Sequence, residues 1–353
     1  MAPIRVLVVD DSVVVRRIVS ESLASDPSIE VVGVAQNGSI ALTKVAALKP
    51  DLITMDIEMP VMNGIEAVRE LRRSGVRTPI VMFSTLTSHG ASATLDALAS
   101  GASDYATKPT QVANPAEAIR VITSQLIPKV KALCGATPVA AANARPRAAT
   151  APARPPRAIV VGSSTGGPEA LSKVFGALTA PLPVPVLVVQ HMPPMFTTQL
   201  AARLDRIGPS RVIEAAGNET LTPGTVYIAP GDLHLEVRSA GTAVITSLNR
   251  GPQVNFCRPA VDVLFRSAVK VYGGDLLGVM LTGMGSDGRD GTRELVDAGG
   301  RTIAQNQATS VVWGMPGAVA GAGLAHEILP LEAIAPAMAR AIQARPIGTG
   351  AVA

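Results

Sequence analysis

Asp10 and Asp11 follow the aliphatic run Arg5–Val9, and Asp56 follows the run Leu52–Met55. Short runs of this kind predict parallel strands, and open parallel sheets bind ligands beyond the carboxyl ends of their strands. Three carboxylates at one such edge repel each other unless a hard divalent cation sits among them, and magnesium suits an all-oxygen site of this kind. Ser84 ends the run Ile80–Phe83, and Lys108 lies just past Asp104–Ala106. A hydroxyl and an ammonium facing a metal-bound carboxylate can hold the oxygens of a phosphoryl group carried by Asp56.

A second set of residues has the types needed for nucleophilic catalysis. Ser163 and Ser164 follow Ala158–Val161, His191 follows Val186–Val189 and Gln190, and Asp287 follows Leu276–Leu281 through Thr282-Gly283-Met284-Gly285. Three strand-to-helix junctions thus deliver a hydroxyl, an imidazole and a carboxylate to one crevice. Serine is inert without an adjacent base, and the imidazole needs a carboxylate to fix its tautomer. In Gly162-Ser163-Ser164-Thr165-Gly166 the G-x-S-x-G spacing makes Ser164 the central residue. The first amides of the helix opened by Glu169, with the Thr165 N–H, can face a developing oxyanion. The chain order Ser…His…Asp differs from that of the α/β-hydrolases, so their wiring is not expected here.

Both sets require alternating strands and helices. In the first half, strands are expected at Arg5–Val9, Val31–Ala35, Leu52–Met55, Ile80–Phe83 and Asp104–Ala106. Helices are expected at Ser12–Ala24, Ser39–Leu48, Gly64–Arg73, Ala91–Ser100 and Pro115–Leu133. In the second half, strands are expected at Ala158–Val161, Val186–Val189, Arg211–Glu214, Leu276–Leu281 and Arg301–Ala304. A small β-ribbon insertion is expected from Val226–Ile228, Leu233–Val237 and Ala243–Ser247. Helices fall at Glu169–Leu178, Phe196–Ile207, Ala260–Val271, Gly291–Ala298 and Leu331–Ala344. Such alternation predicts parallel α/β layers in both halves.

Composition excludes several classes. Of the 353 residues 47% are apolar and 16% charged, so wholesale disorder is excluded, and 3% aromatics leaves little for stacking bases. The net charge of +4 has a local source, the acid-free segment 135–157 with Arg145, Arg147, Arg154 and Arg157. That Ala/Pro/Arg-rich segment reads as a linker, and no basic face for nucleic acid is indicated. Cys134 and Cys257 are too few and too far apart for a disulfide framework, which fits a reducing cytoplasm. Acidic residues directly after the first apolar run argue against a signal peptide. The uncharged span Thr302–Ala325 is too polar and glycine-rich to cross a membrane, so no membrane insertion is expected.

Two formal motifs fail on context. Gly283-x-Gly285-x-x-Gly288 matches a dinucleotide fingerprint but lacks an acid about 20 positions on. Gly162–Gly167 lacks the Lys-Ser/Thr ending of a phosphate-binding loop. His89, His234 and His326 have no metal-like spacing and read as loop or packed histidines. A DNA-binding output would need a helix-turn-helix after the linker, where the α/β pattern stands instead.

The first half resembles the response-regulator receiver domain. Its Asp10–Asp11 pair, Asp56 followed by Glu58-Met59-Pro60 and Asn63-Gly64, Ser84 and Lys108-Pro109 carry the likeness. The resemblance implies a flavodoxin-like, five-stranded parallel sheet and an Asp56 phosphorylated by a histidine kinase. It also implies Mg2+ held by Asp11, Asp56 and the Glu58 carbonyl, with Tyr105 at an aromatic switch position; an exposed edge-strand tyrosine is the alternative.

The second half resembles the catalytic domain of the CheB family of protein-glutamate methylesterases. Gly162–Gly167, Gln190-His191-Met192-Pro193, Tyr227–Asp232, Arg258–Asp262, Leu281–Gly288 and Gly314-Met315-Pro316 carry that likeness. It implies a doubly wound α/β domain with nucleophile Ser164, base His191, carboxylate Asp287 and the Met284 N–H as an oxyanion donor, with no cofactor. Ser163, where the family commonly has Ala, and Ser286, where it commonly has Asn, depart mildly from the pattern. The expected reaction is hydrolysis of glutamate methyl esters, and deamidation of glutamines, on the cytoplasmic helices of chemoreceptors, raised by phosphorylation. The expected organisation is a receiver at 1–125 with a helical extension to about 134, the linker 135–157, a catalytic domain at 158–345 and a tail at 346–353.

Overall fold

The computed structural model of the chain describes residues 2–108, 114–135 and 155–343. Pro109, the linker between 136 and 154, and the expected tail therefore lie outside the described residues. The chain divides into two compact units, Met1–Thr137 and Pro138–Ala353.

The first unit alternates β1 (Ile4–Val9), α1 (Val13–Ala24), β2 (Ile29–Ala35), α2 (Gly38–Leu48), β3 (Leu52–Asp56), α3 (Gly64–Arg73), β4 (Ile80–Ser84), α4 (Ser88–Ala99), β5 (Asp104–Thr107) and α5 (Pro115–Cys134). The strands form a parallel sheet ordered β2-β1-β3-β4-β5, the flavodoxin-like arrangement. Its order reverses between β1 and β3, where Val9 lies opposite Met55, so Asp10 and Asp56 emerge side by side. Strand β3 is buried along its whole length, as a central parallel strand must be. All five helices start with a local side-chain cap, from Ser12, Asn37, Asn63, Thr87 and Asn114. At α3 the Asn63–Glu66 pair makes a full capping box.

The second unit runs β6 (Ala158–Ser163), α6 (Gly167–Gly176), β7 (Val186–Gln190), α7 (Phe196–Asp205), β8 (Arg211–Glu214), β9 (Thr225–Ile228), β10 (His234–Ala240), β11 (Ala243–Asn249), α8 (Val261–Tyr272), β12 (Leu276–Met280), α9 (Arg289–Asp297), β13 (Arg301–Gln305), α10 (Met315–Gly321), β14 (Glu327–Leu329) and α11 (Leu331–Gln343). Seven of these strands pair in parallel in the order β14-β13-β12-β6-β7-β9-β8. The order reverses between β12 and β6, the position where open α/β sheets form their crevice.

One expectation needs correction. Val226–Ile228, grouped with the ribbon above, belongs to β9 inside the main sheet, between β7 and β8. All of β9 is buried, so its unbroken apolar run is that of an interior parallel strand. The ribbon proper is the antiparallel pair β10–β11. Strand β14 was not expected: at three residues on the sheet edge it leaves no periodic signal. Helix α10 follows Gly314 without a side-chain cap, and Pro316 in its first turn is the local mark of its start.

Candidate active site

In the first unit, Lys108 Nζ reaches both Asp56 Oδ2 at 2.8 Å and Asp10 Oδ2 at 2.9 Å. Asp10 Oδ1 also accepts the Ser12 N–H at 2.9 Å, so this carboxylate is already well occupied. Carboxylate oxygens of Asp10, Asp11 and Asp56 lie within 4.8 Å of one another. Burial and the neighbouring Asp10 charge push the Asp56 carboxyl up to about 6, against the pull of Lys108. That partly compensated repulsion, among oxygen donors, fits a hard divalent cation such as magnesium. A pocket of about 240 Å³ opens over Asp56, lined by Asp11, Glu58, Ser84, Thr85 and Lys108 among others. Ser84 Oγ is held by the Gly90 carbonyl at 3.0 Å, on the rim of that pocket. Tyr105 is buried on β5 with the Lys129 ammonium 5.5 Å from its ring centre, so it is not an exposed edge residue.

In the second unit, the two candidate serines separate cleanly. Ser163 is fully buried and donates to Gln190 Oε1 at 2.7 Å, so its hydroxyl is committed to structure. Ser164 is half-buried at the crevice, its backbone fixed by Ser164 N to Thr282 O at 3.0 Å and Gln190 Nε2 to Ser164 O at 2.9 Å. The turn allows no larger residues around it. Gly166 has φ +77°, and a Cβ at Gly167 would lie 1.9 Å from Gln190 Oε1.

His191 Nε2 meets Asp287 Oδ2 at 2.8 Å, and both residues are largely buried. Asp287 is otherwise saturated: it accepts from Val261 N at 2.7 Å, Asp262 N at 3.2 Å and Asn255 Nδ2 at 3.0 Å. Burial alone would raise its pKa, but His191 and these donors hold the carboxyl below its usual value. Burial would lower His191, yet Asp287 and the neighbouring Cys257 sulfur outweigh it and lift the imidazole to about 9. The pair thus favours the imidazolium that forms when His191 takes a proton. With Nε2 held by Asp287, Nδ1 is the ring nitrogen that no carboxylate engages.

Among the described residues no hydrogen bond joins Ser164 Oγ to His191. The main chain nonetheless brings the two together, since His191 N donates to Ser163 O at 3.1 Å. Such contacts commonly tighten only when substrate is bound. Thr165 is buried immediately after Ser164, and Met284 stands a third exposed in the loop after β12. A Cβ at Gly283 would lie 2.9 Å from the Ser164 Cβ, which keeps that loop tight against the serine.

Several residues here escaped the sequence reading as functional. Gln190 buttresses both serines, Asn255 and Asp262 support Asp287 and α9, and Cys257 Sγ lies 3.6 Å from His191 Nδ1. Gln190, Asp262 and Cys257 sit beside or within the motifs quoted above, but only the fold gives them a partner. The remaining histidines are ordinary: His234 Nε2 pairs with the Pro252 carbonyl, His326 with Thr302, and exposed His89 lies near Glu58.

Comparison with known proteins agrees with this layout. Residues 6–120 match the response regulator receiver domain model, and residues 159–338 match the CheB methylesterase model. A protein-glutamate methylesterase/protein-glutamine glutaminase of Nocardioides sp. is 57% identical over 96% of this chain and 96% of its own. The protein of the same name from Trichodesmium erythraeum is 44% identical over 97% of this chain and its full length. The crystal structure of the Thermotoga maritima CheB methylesterase catalytic domain is 41% identical with a TM-score of 0.51, covering 52% of this chain and 98% of that domain.

Proposed function

The chain belongs to the CheB methylesterase family, and we propose on that footing that Ser164 is its nucleophile, His191 its base and Asp287 the carboxylate orienting that base. The enzyme is a protein-glutamate methylesterase and protein-glutamine deamidase under the control of a receiver domain. In our reading, Ser164 Oγ attacks the γ-carbonyl of a glutamyl methyl ester and its proton passes to His191 Nδ1. Asp287 stabilises the resulting imidazolium, while the Thr165 and Met284 N–H groups face the oxyanion. Collapse of the tetrahedral intermediate expels methanol, which takes the proton from His191. Water, deprotonated by the same imidazole, then attacks the acyl-enzyme, and the imidazolium returns the proton to the departing Ser164 Oγ as the glutamate carboxylate is released. A glutamine substrate follows the same course with ammonia as the leaving group.

The observation that carries this reading is the 2.8 Å His191–Asp287 contact at the sheet's switch point, beside a half-buried Ser164 whose neighbour Ser163 is structurally committed. In the receiver, Asp56 is read as the phosphoacceptor, supplied by a histidine kinase, with Ser84 and Lys108 holding the phosphoryl oxygens. Asp11, Asp56 and the Glu58 carbonyl, with Asp10 beside them, would hold Mg2+, which when bound offsets the acidic charge and orients the incoming phosphoryl group. The substrates are read as methylated chemoreceptor helices facing the cytoplasm. No helix among the described residues is long and apolar enough to cross a membrane. The domain limits given from sequence, with the linker at 135–157, are kept as part of this proposal.

The test is methanol release from methylated receptor by the full chain, with and without a small phosphodonor and magnesium. Ser164→Ala should lose roughly three to six orders of magnitude, as when a nucleophile is removed from a triad acting as a unit. Asp56→Asn should keep the unstimulated rate and lose the stimulation. Wild-type activity in Ser164→Ala would end the serine-hydrolase reading.

A further inference from the structure

We propose that the crevice of the catalytic unit also holds an inhibitory site for a thiophilic divalent cation, zinc being the natural occupant, ligated by His191 Nδ1 and Cys257 Sγ. The ester chemistry described above has no use for a thiol. Yet Cys257 Sγ stands 3.6 Å from Nδ1, and ligand atoms of His191, Cys257 and Asp287 all lie within 4.8 Å of one another. Zinc binds imidazole nitrogen at about 2.0–2.1 Å and thiolate sulfur at about 2.3 Å in tetrahedral geometry. Those lengths at a tetrahedral angle put nitrogen and sulfur about 3.6 Å apart. The two atoms therefore already have the spacing of zinc ligands.

The other ring nitrogen strengthens the case. A metal-ligating histidine typically donates its second N–H to a carboxylate, which fixes the tautomer and makes the ligating nitrogen more basic. Asp287 sits on Nε2 at 2.8 Å and is held there by Val261 N, Asp262 N and Asn255. Asp287 thus acts from behind the ring, and water would take the remaining coordination positions. The His191 side chain keeps 13% of its surface exposed and Cys257 is half-buried, so an ion from solution can reach them. Binding releases two protons to solvent at neutral pH, one from the Cys257 thiol and one from His191 Nδ1, and leaves a zinc-bound thiolate and a neutral imidazole. With only two protein ligands, the site should release its metal to a chelator.

The consequence for catalysis rests on the reading of His191 as base, but the binding itself does not. If Nδ1 takes the serine proton, a cation there removes the base, and metal and turnover exclude each other.

Cobalt(II) reports the binding directly, because a cobalt–thiolate bond gives an ultraviolet charge-transfer absorption. The receiver's acidic cluster offers only oxygen and is silent in that band. The chain has two cysteines, and Cys134 sits in the receiver unit beside the Asp51 carbonyl. The reduced full-length protein should show the band, Cys134→Ser should keep it, and Cys257→Ser and Cys257→Ala should lose it. Zinc should inhibit methyl-ester hydrolysis reversibly. Relative to each protein's own metal-free rate, the two Cys257 variants should need at least about tenfold more zinc. No band in the wild type, or a band surviving in both Cys257 variants, would overturn the site. Equal zinc sensitivity in wild type and variants would overturn its link to catalysis. A band without inhibition of the wild type would overturn that link too and count against His191 Nδ1 as the base.

Discussion

Asp56 and Asp287 are both buried aspartates at or just beyond the ends of parallel strands, each beside the point where its sheet reverses order. Their surroundings differ in kind. Asp56 has a second carboxylate next to it, one backbone donor in Ile57 N at 2.8 Å, and a lysine shared with Asp10. Asp287 has an imidazole, two helix N-terminal amides and an asparagine amide, and of these donors only the asparagine is shared with another acid, Asp262. The first carboxyl is pushed up to about 6 and the second is held below its usual value. The difference supports the roles proposed for the two sites. Asp287 has its charge matched by donors as it stands, which suits the orienting and stabilising role proposed for it. Asp56 remains incomplete until a cation or a covalent group changes its charge, which is the property a switch needs.

The largest expected effect tests completeness. Asp287→Ala should lower ester hydrolysis by roughly three to four orders of magnitude, less than loss of Ser164, because orientation is removed while nucleophile and base remain. The loss should be equal with and without phosphodonor, since this carboxylate is not part of the switch. Steady-state methanol release in both states measures it, and a deficit confined to the phosphorylated enzyme would break the contrast. Asp287 also satisfies the N-terminus of α8, so circular dichroism should accompany the kinetics.

A pH profile sharpens the same point. The Asp287 carboxylate and the Cys257 sulfur raise His191 to about 9 in spite of burial. The base must be neutral to act, so kcat/KM should climb with pH and level off only above about 9. From pH 7 to pH 9 the rise should be roughly fiftyfold, following the neutral fraction. Asp287→Asn removes the charge that favours imidazolium and should bring the plateau down toward the ordinary histidine value at a lower ceiling. Rates corrected for Ser164→Ala background, in the presence of chelator, give the profile. An unshifted plateau in Asp287→Asn would mean that the carboxylate does not set the base.

The same contrast explains which parts of the molecule are legible in the sequence. A strand end is a local event, so the aliphatic runs preceding Asp10, Asp11, Asp56, Ser164, His191 and Asp287 are enough to put these residues at sheet edges. The receiver helices are equally plain because each cap lies next to its helix, as Asn63 and Glu66 do at α3. In the second unit the caps come from far along the chain. Asp287 serves the first amides of α8, and Asp262 in turn accepts from Gly291 N in α9 at 2.6 Å. No window of sequence contains both partners. Asn255 and Cys257 are hidden for a different reason. They lie in a tight turn with Asn255 at φ +52° and Phe256 at φ +61°, joined by paired Val254–Cys257 hydrogen bonds. Such turns usually announce themselves by Asn-Gly, and here an exposed phenylalanine occupies the glycine position.

The smallest effect is on stability, and it reaches the root of the comparison. A carboxyl that keeps its proton to about pH 6 when folded, against 3.8 when unfolded, favours the folded state fully below 3.8. That advantage is lost as pH rises through 6, so at neutral pH the ionised Asp56 costs the receiver on the order of 3 kcal/mol. Asp56→Asn removes the charge while keeping most of the shape, and should raise the receiver's unfolding midpoint by several degrees at pH 8. Because the cost depends on ionisation, the gap between variant and wild type should close as pH falls from 8 to 4. Magnesium should close it too at pH 8, by stabilising the wild-type cluster and finding one ligand fewer in the variant. Calorimetry of the full chain, following the receiver transition, measures all three. A gap insensitive to both pH and magnesium would mean that Asp56 is no more strained than Asp287, and the two aspartates would then differ in chemistry without differing in electrostatics.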